Sequence, residues 1–280
     1  MKAFLRRFMK NKGAVVGLAI FLLVVGVAIS APFLYDGSPW MMVADPLMTP
    51  FQDAQYPLGT DMLGRDIAAG MAYGAQVSLL ISLISTAVAV IVGVAIGAIA
   101  GYNGGWLDDL LMRITEFFQT IPQLAMAVVL VAIFTPSIYS IVGAIALVSW
   151  PPVARLVRSE FLSLRQREFV QAAVVIGLRP GRIIFTQILP NAMSSIIITA
   201  SLMVATAILT ESALSFLGLG DRNMMSWGFM IGAARTMLRE AAWMSILPGL
   251  AILLTVLAIN LIGEGLSDAL NPQLRNRGEK

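Results

Sequence analysis

Cysteine and histidine are both absent from the 280 residues. Without cysteine there is neither a disulfide framework nor a thiolate metal site. Without histidine the chain lacks the commonest ligand for zinc, copper and haem and the commonest general base near neutral pH. Metal-dependent and Ser-His-Asp chemistry are therefore disfavoured. Lysine is scarce too, and none of Lys2, Lys10, Lys12 and Lys280 follows a glycine, so a Gly-Lys-Ser/Thr phosphate loop is missing. Gly218-Leu219-Gly220 has Asn223 where a dinucleotide-binding turn would carry its third glycine; it reads as a tight turn at a membrane edge. Charge overall is thin, at 12% of residues, against roughly a quarter in an ordinary soluble domain.

What is present is apolar sequence, 58% of the chain, arranged in long blocks. A charge at the bilayer centre costs about 2.5–3.5 kcal/mol on insertion scales, so spans are sought where charges are missing. Five charge-free blocks result: 13–35, 67–107, 117–154, 183–210 and 241–263. A helical span needs roughly 20 apolar residues. The first, fourth and fifth blocks hold one span each, the second narrows to one span over Val77 to Gly101, and the third holds two, giving six. The third divides at Thr135-Pro136-Ser137, where proline cannot continue a helix. Its first half borrows Leu110 to Phe118, and its second runs past Pro151-Pro152.

Positive loops stay cytoplasmic, and with the N-terminus inside fifteen of the nineteen Lys and Arg residues lie on that side; Arg65, Arg222, Arg235 and Arg239 fall outside. Both termini are thereby expected in the cytoplasm. The net charge of +3, clustered in particular loops, suits a membrane surface better than nucleic acid. The basic start followed by an apolar run has a rival reading as a secretory signal, but signal cores usually run about 7–15 residues and this run exceeds that.

Carriers and pumps driven by ions usually place Asp, Glu or His inside the membrane. The span centres hold none, and Glu211, Glu240 and Glu264 at the span ends are expected to be solvated by interfacial water. Gly93, Gly97 and Gly101 recur every four residues on one helical face, where a neighbouring backbone can approach.

The longest polar interruption, Arg155 to Arg182, is patterned. Phe169, Ala172, Ala173 and Ile176 form one apolar stripe at i, i+3, i+4, i+7, with Arg167, Glu168 and Gln171 off it. Gly177 ends this helix, Pro180 starts a second one, and the chain is expected to bend at Leu189-Pro190-Asn191 into the fifth span. Two uses fit such a helix pair: lying on lipid, or docking its flat alanine face into another protein's groove.

Gln171-Ala172-Ala173 with Gly177 and Ile188-Leu189-Pro190 resembles the E-A-A loop of ABC-importer permeases, with Gln171 in place of the usual Glu. Pro57-Leu58-Gly59-Thr60-Asp61 with Gly64-Arg65-Asp66, Leu214-Ser215-Phe216-Leu217-Gly218-Leu219-Gly220 with Ser226-Trp227-Gly228, and Asn260-Leu261-Ile262-Gly263-Glu264 with Asp268 and Pro272 are similar to the C-type permease subunit of dipeptide and oligopeptide importers. Asn271 and Gln273 stand where that branch has Asp and Arg, and the outer loop is shorter and lacks its prolines. The resemblance covers about residues 57 to 275.

It implies an all-α integral membrane protein with the type I ABC-importer permease fold and six transmembrane helices. Residues 1–75 would form a cytoplasmic segment, the first span and an outer loop; residues 76–280 would form a five-helix core with a coupling helix at about 160–190. Arg167, Glu168, Gln171, Ala172, Ala173, Gly177 and Pro190 would couple to an ATPase. The implied partners are a second homologous permease subunit, two ABC ATPase subunits that bind the ATP and magnesium, a periplasmic or lipid-anchored solute-binding protein, and membrane lipid. The chain itself would hold no cofactor, do no covalent chemistry and sit in the bacterial inner membrane. Relatives of this branch carry nickel chelates, glutathione or oligosaccharides as well as peptides. A stand-alone channel or secondary carrier and a membrane enzyme are the rivals from other classes.

Overall fold

The computed structural model describes residues 2–270. Its α-helices are α1 (Lys2–Phe8), α2 (Lys12–Leu34), α3 (Ile67–Asn103), α4 (Gly105–Thr120), α5 (Gln123–Ile133), α6 (Ile138–Arg165), α7 (Glu168–Val175), α8 (Pro180–Ile183), α9 (Leu189–Leu214), α10 (Trp227–Ala234) and α11 (Trp243–Leu270). Short polar side chains set their starts. Asn11 accepts from the Ala14 N–H, Asp66 from the Ala68 N–H and Ser226 from the Phe229 N–H; each satisfies an amide that the first turn leaves unpaired. Ser137 and Ser140 cap α6 reciprocally.

Among the described residues, five helical runs are long and apolar enough to span a bilayer, and α4 with α5 makes a sixth if the bent pair is one span. The division at residues 135–137 and the run of α6 through Pro151-Pro152 are as the sequence predicts. Three boundaries differ. Helix α3 begins at Ile67 rather than Val77 because its small residues are contact surface: a Cβ on Gly74 would meet Trp227 of α10. The stretch 110–134 is broken at Ile121-Pro122 with a bend of 86°, so α5 is only 11 residues long, about 16 Å at 1.5 Å per residue. Pro190 brings no break in the helical run, which is continuous over Pro180–Leu219. A π-turn at Ile184–Ile188 precedes it, with the Leu189 N–H reaching back to the Ile184 carbonyl; the wider turn takes up the misfit of the proline ring.

The centre of the bundle is the pair α3 and α6. A Cβ on Gly93 would meet the Trp150 carbonyl at 2.8 Å, one on Gly97 the Ala154 carbonyl and Val157, and one on Gly101 the Phe161 Cβ at 2.7 Å. Three successive turns of α3 therefore lie against the α6 backbone with nothing between. On the other side α9 packs its buried Ile196, Ala207 and Ile208, while α2 and α11 pair through Gly17, whose position admits the Ala258 carbonyl. Between α2 and α3 the chain folds back on itself, held by antiparallel bridges of Met42 with Arg65 and Thr60 with Asp66. Of the C-terminal string, Asp268 accepts from Asn11 Nδ2 at 2.8 Å; Asn271, Pro272, Gln273 and the basic residues Arg275, Arg277 and Lys280 lie outside the described residues.

Candidate functional site

The short helix α7 stands at the end of α6. Val170 and Ala173, three residues apart, are buried in a cluster with Val157, Phe161, Ile183 and Ile188. Gln171 Nε2 donates to the Arg165 carbonyl at 2.9 Å, which satisfies one of the last acceptors of α6. Glu168 lies in the first turn, where a negative charge suits the helix dipole. Gly177, at φ +78°, closes the helix: its N–H donates to the Val174 carbonyl and the Leu178 N–H to the Ala173 carbonyl, the paired bonds of a glycine-terminated helix. Arg179 and Pro180 then open α8.

The outward face differs from the sequence stripe by one residue that matters. Phe169, Ala172 and Ile176 are exposed as expected, but Ala173 is turned inward and belongs to the core. A helix packed on a neighbour at i and i+3 has its outer face elsewhere, and the residues there are Phe169, Ala172, Val175 and Ile176. Val175 is 86% exposed and Ile176 74% exposed. Exposed apolar side chains rimmed by charge mark candidate interaction sites, and Arg165, Arg167, Arg179 and Arg182, all exposed, lie near this tip in the chain. Pro190 lies in the first turn of α9 and is exposed.

Gly93, Gly97 and Gly101 are far from α7 in sequence but reach it through α6. They join α3 to the same α6 that carries the platform, and Ala98 of α3 shares the cluster holding Val170 and Ala173.

One buried group runs against the sequence reading. Glu240 and Glu264 are exposed, but Glu211 is 0% exposed. Ser215 donates to its Oε1 at 2.8 Å and Ser78 to its Oε2 at 3.2 Å, while the Trp227 N–H donates to Ser78 Oγ at 3.3 Å. The carboxyl thus joins α9 to α3, and through Ser78 to α10, at the end of the bundle opposite α7. Its hydroxyl partners replace interfacial water. Ser215 at i+4 was visible in the sequence; Ser78, 133 positions away, was not. Glu211→Leu is expected to strip two buried hydroxyls of their acceptor at about 1–3 kcal/mol each and to lower the melting temperature of the purified protein, whereas Glu211→Gln retains most of it. Equal melting of the leucine variant and the parent would show that the cluster does not hold the helices together.

Comparison with known proteins places these features. Residues 93–276 match the family described as binding-protein-dependent transport system inner membrane component, and residues 1–57 match the N-terminal TM domain of oligopeptide transport permease C. A dipeptide transport system permease protein, DppC, of Alkalihalophilus pseudofirmus is 42% identical over 97% of this chain and 89% of its own length. A di/tripeptide transport system permease protein of Pseudomonas aeruginosa is 41% identical over 99% of this chain and 93% of its own. Among solved structures, a chain of the MetNI methionine ABC transporter in inward-facing conformations aligns with a TM-score of 0.57 at 17% identity, over 70% of this chain and 96% of that one.

Proposed function

The chain belongs to the family of binding-protein-dependent transport system inner membrane components, and from that premise we propose that it is the C-type, pore-forming permease of an ATP-driven importer that passes di- and oligopeptides across the bacterial inner membrane. It is a multi-pass membrane subunit, and the enzymatic work of such importers resides in separate ATPase subunits. A second homologous permease completes the path, two ATPase subunits bind ATP and magnesium, and a periplasmic or lipid-anchored binding protein delivers the peptide. Both termini and α7 face the cytoplasm in this reading.

The observation that carries it is the apolar tip of α7, Phe169, Ala172, Val175 and Ile176, on a pedestal buried into α6 and α8. An ATPase groove closing over that tip pushes a body that cannot yield locally. Because α6 is joined to α3 at three glycines without intervening side chains, the push moves both helices together. A packed interface has discrete arrangements rather than a continuum, so such a push switches the path between outward and inward access. No chemistry is asked of this chain.

The test is purification through a tag on this chain, then reconstitution with the cognate binding protein. A second six-span protein and an ATPase are expected to come with it, and labelled dipeptide to enter vesicles only with ATP and loaded binding protein. Uptake driven by an ion gradient without ATP would make the protein a secondary carrier. Orientation is checked separately in this cysteine-free chain. Cysteines at positions 45 and 221 are expected to react with impermeant reagent in intact cells and one at position 165 only after permeabilisation; reaction of position 165 in intact cells would invert the topology.

A further inference from the structure

Helix α4, which with α5 makes a sixth span if the bent pair is one span, carries two different exposed faces. Trp106, Leu110, Ile114 and Phe117 are exposed apolar side chains on one of them. Asp109, Arg113 and Glu116, at i, i+4 and i+7, form the other and line a cavity of about 730 Å³ closed on the far side by Arg155, Arg158 and Ser159 of α6. Ionisable side chains within a span face water or one another and not lipid. The apolar row therefore meets lipid or a partner helix, and the charged row faces an aqueous space.

The charges in that space are unequally used. Arg158 is committed: its Nε and Nη2 donate to the two oxygens of Asp108 at 2.5 and 2.6 Å, and Asp108 is buried. Arg113 and Glu116 approach only to 3.9 Å and are both largely exposed, a pairing of little strength. Arg155 has a neutral partner, the Gln119 amide oxygen at 2.8 Å, and Asp109 has no ion-pair partner among the described residues. Arg155, with no carboxylate at ion-pair distance among the described residues, and Asp109, whose charge reaches Arg158 only from beyond that distance, thus stand on opposite walls of one cavity. Its volume lies within the range of about 300–1,000 Å³ usual for small-molecule sites.

We propose that this groove is the chain's share of the inner vestibule of the path and holds a short zwitterionic peptide on its way through, its α-carboxylate on Arg155 and its α-ammonium against Asp109 and Glu116. A planar guanidinium takes a carboxylate through two parallel hydrogen bonds, and an ammonium is met by acidic side chains as a point charge. This inference rests on the peptide-importer reading and adds the residues that touch the solute.

Two measurements on the assembled importer test it. In the first, cysteine replaces Glu116 or Phe117 and reacts with a membrane-impermeant cationic thiol reagent applied from the cytoplasmic side. Position 116 is expected to react and position 117 to stay silent; equal reactivity of the two overturns the aqueous groove, whatever the solute. In the second, trialanine moved per ATP hydrolysed is compared between the parent and Arg155→Gln. A drop of roughly ten-fold is expected, the size of one lost charge-assisted hydrogen bond, with Arg155→Lys recovering a large part of it and N-acetylated trialanine moved less well by the parent. A parent-like ratio in Arg155→Gln overturns this proposal alone. A parent complex that moves no trialanine with ATP and loaded binding protein removes the importer reading and this proposal with it.

Discussion

Ile176→Asp is expected to abolish the stimulation of ATP hydrolysis by loaded binding protein while leaving the chain folded and inserted. Ile176 caps the apolar tip of α7 and is 74% exposed, so the free chain tolerates a carboxylate there. Docking removes that tolerance, because a charge stripped of water and left without a partner is strongly destabilising, by about 3–5 kcal/mol when a buried pair is broken. At about 1.4 kcal/mol per factor of ten, such a penalty empties the interface. Ala173→Asp, which the sequence stripe would also nominate, tests something else. Ala173 is buried against Val170 and Phe161, and a carboxylate there breaks the pedestal itself. Gly177→Leu lies between the two: nothing surrounds its Cβ position, but its φ of +78° costs a branched residue roughly 1–2 kcal/mol. The measurements are ATPase activity of the reconstituted complex with and without loaded binding protein, beside melting temperature. Parent-like stimulation in Ile176→Asp would show that α7 does not couple the two machines.

Gly97→Leu is expected to have an equally large effect by another route, through loss of assembled protein. A Cβ at this position meets the Ala154 carbonyl and the Val157 Cβ at 2.8 Å, so even the first carbon of a side chain requires α3 and α6 to separate. Overpacking of this kind typically costs about 1–3 kcal/mol, and here the obstacle includes backbone, which cannot turn aside as a side chain can. The separation also disturbs Gly93 and Gly101 on the same face. Yield and thermal stability of the detergent-purified protein are expected to fall well below the parent. Gly26→Leu, at a glycine of α2 with nothing within 4 Å, is the control and is expected to match the parent. Equal stability of the two variants would show that the glycine face is not a helix contact.

The sequence by itself determined that this is a membrane protein, because the absence of charge over whole spans can be read one residue at a time. It determined the turn at Thr135-Pro136-Ser137 and the stop at Gly177 for the same reason: proline lacks a donor and glycine alone accepts a positive φ freely, wherever the rest of the chain lies. It also placed three glycines on one face, since helical spacing is local. Tertiary structure decided what those faces meet. Ala173 and Ile176 share a stripe by spacing, yet only the positions of Val157, Phe161 and Ile188 turn the first inward and leave the second free. Glu211 had the sequence position of a solvated interfacial charge, and hydroxyls from Ser78, remote in the chain, and Ser215 enclosed it instead. The bend of 86° at Ile121-Pro122 belongs to the same class. Proline made a break permissible there, but how far the helix turned depended on what α4 and α5 pack against: Asp108 of α4 paired with Arg158 of α6, and Ala127 and Val131 of α5 packed with Ile141 and Ile145. Burial and pairing depend on groups far apart in the chain, and those are fixed only when the helices have come together.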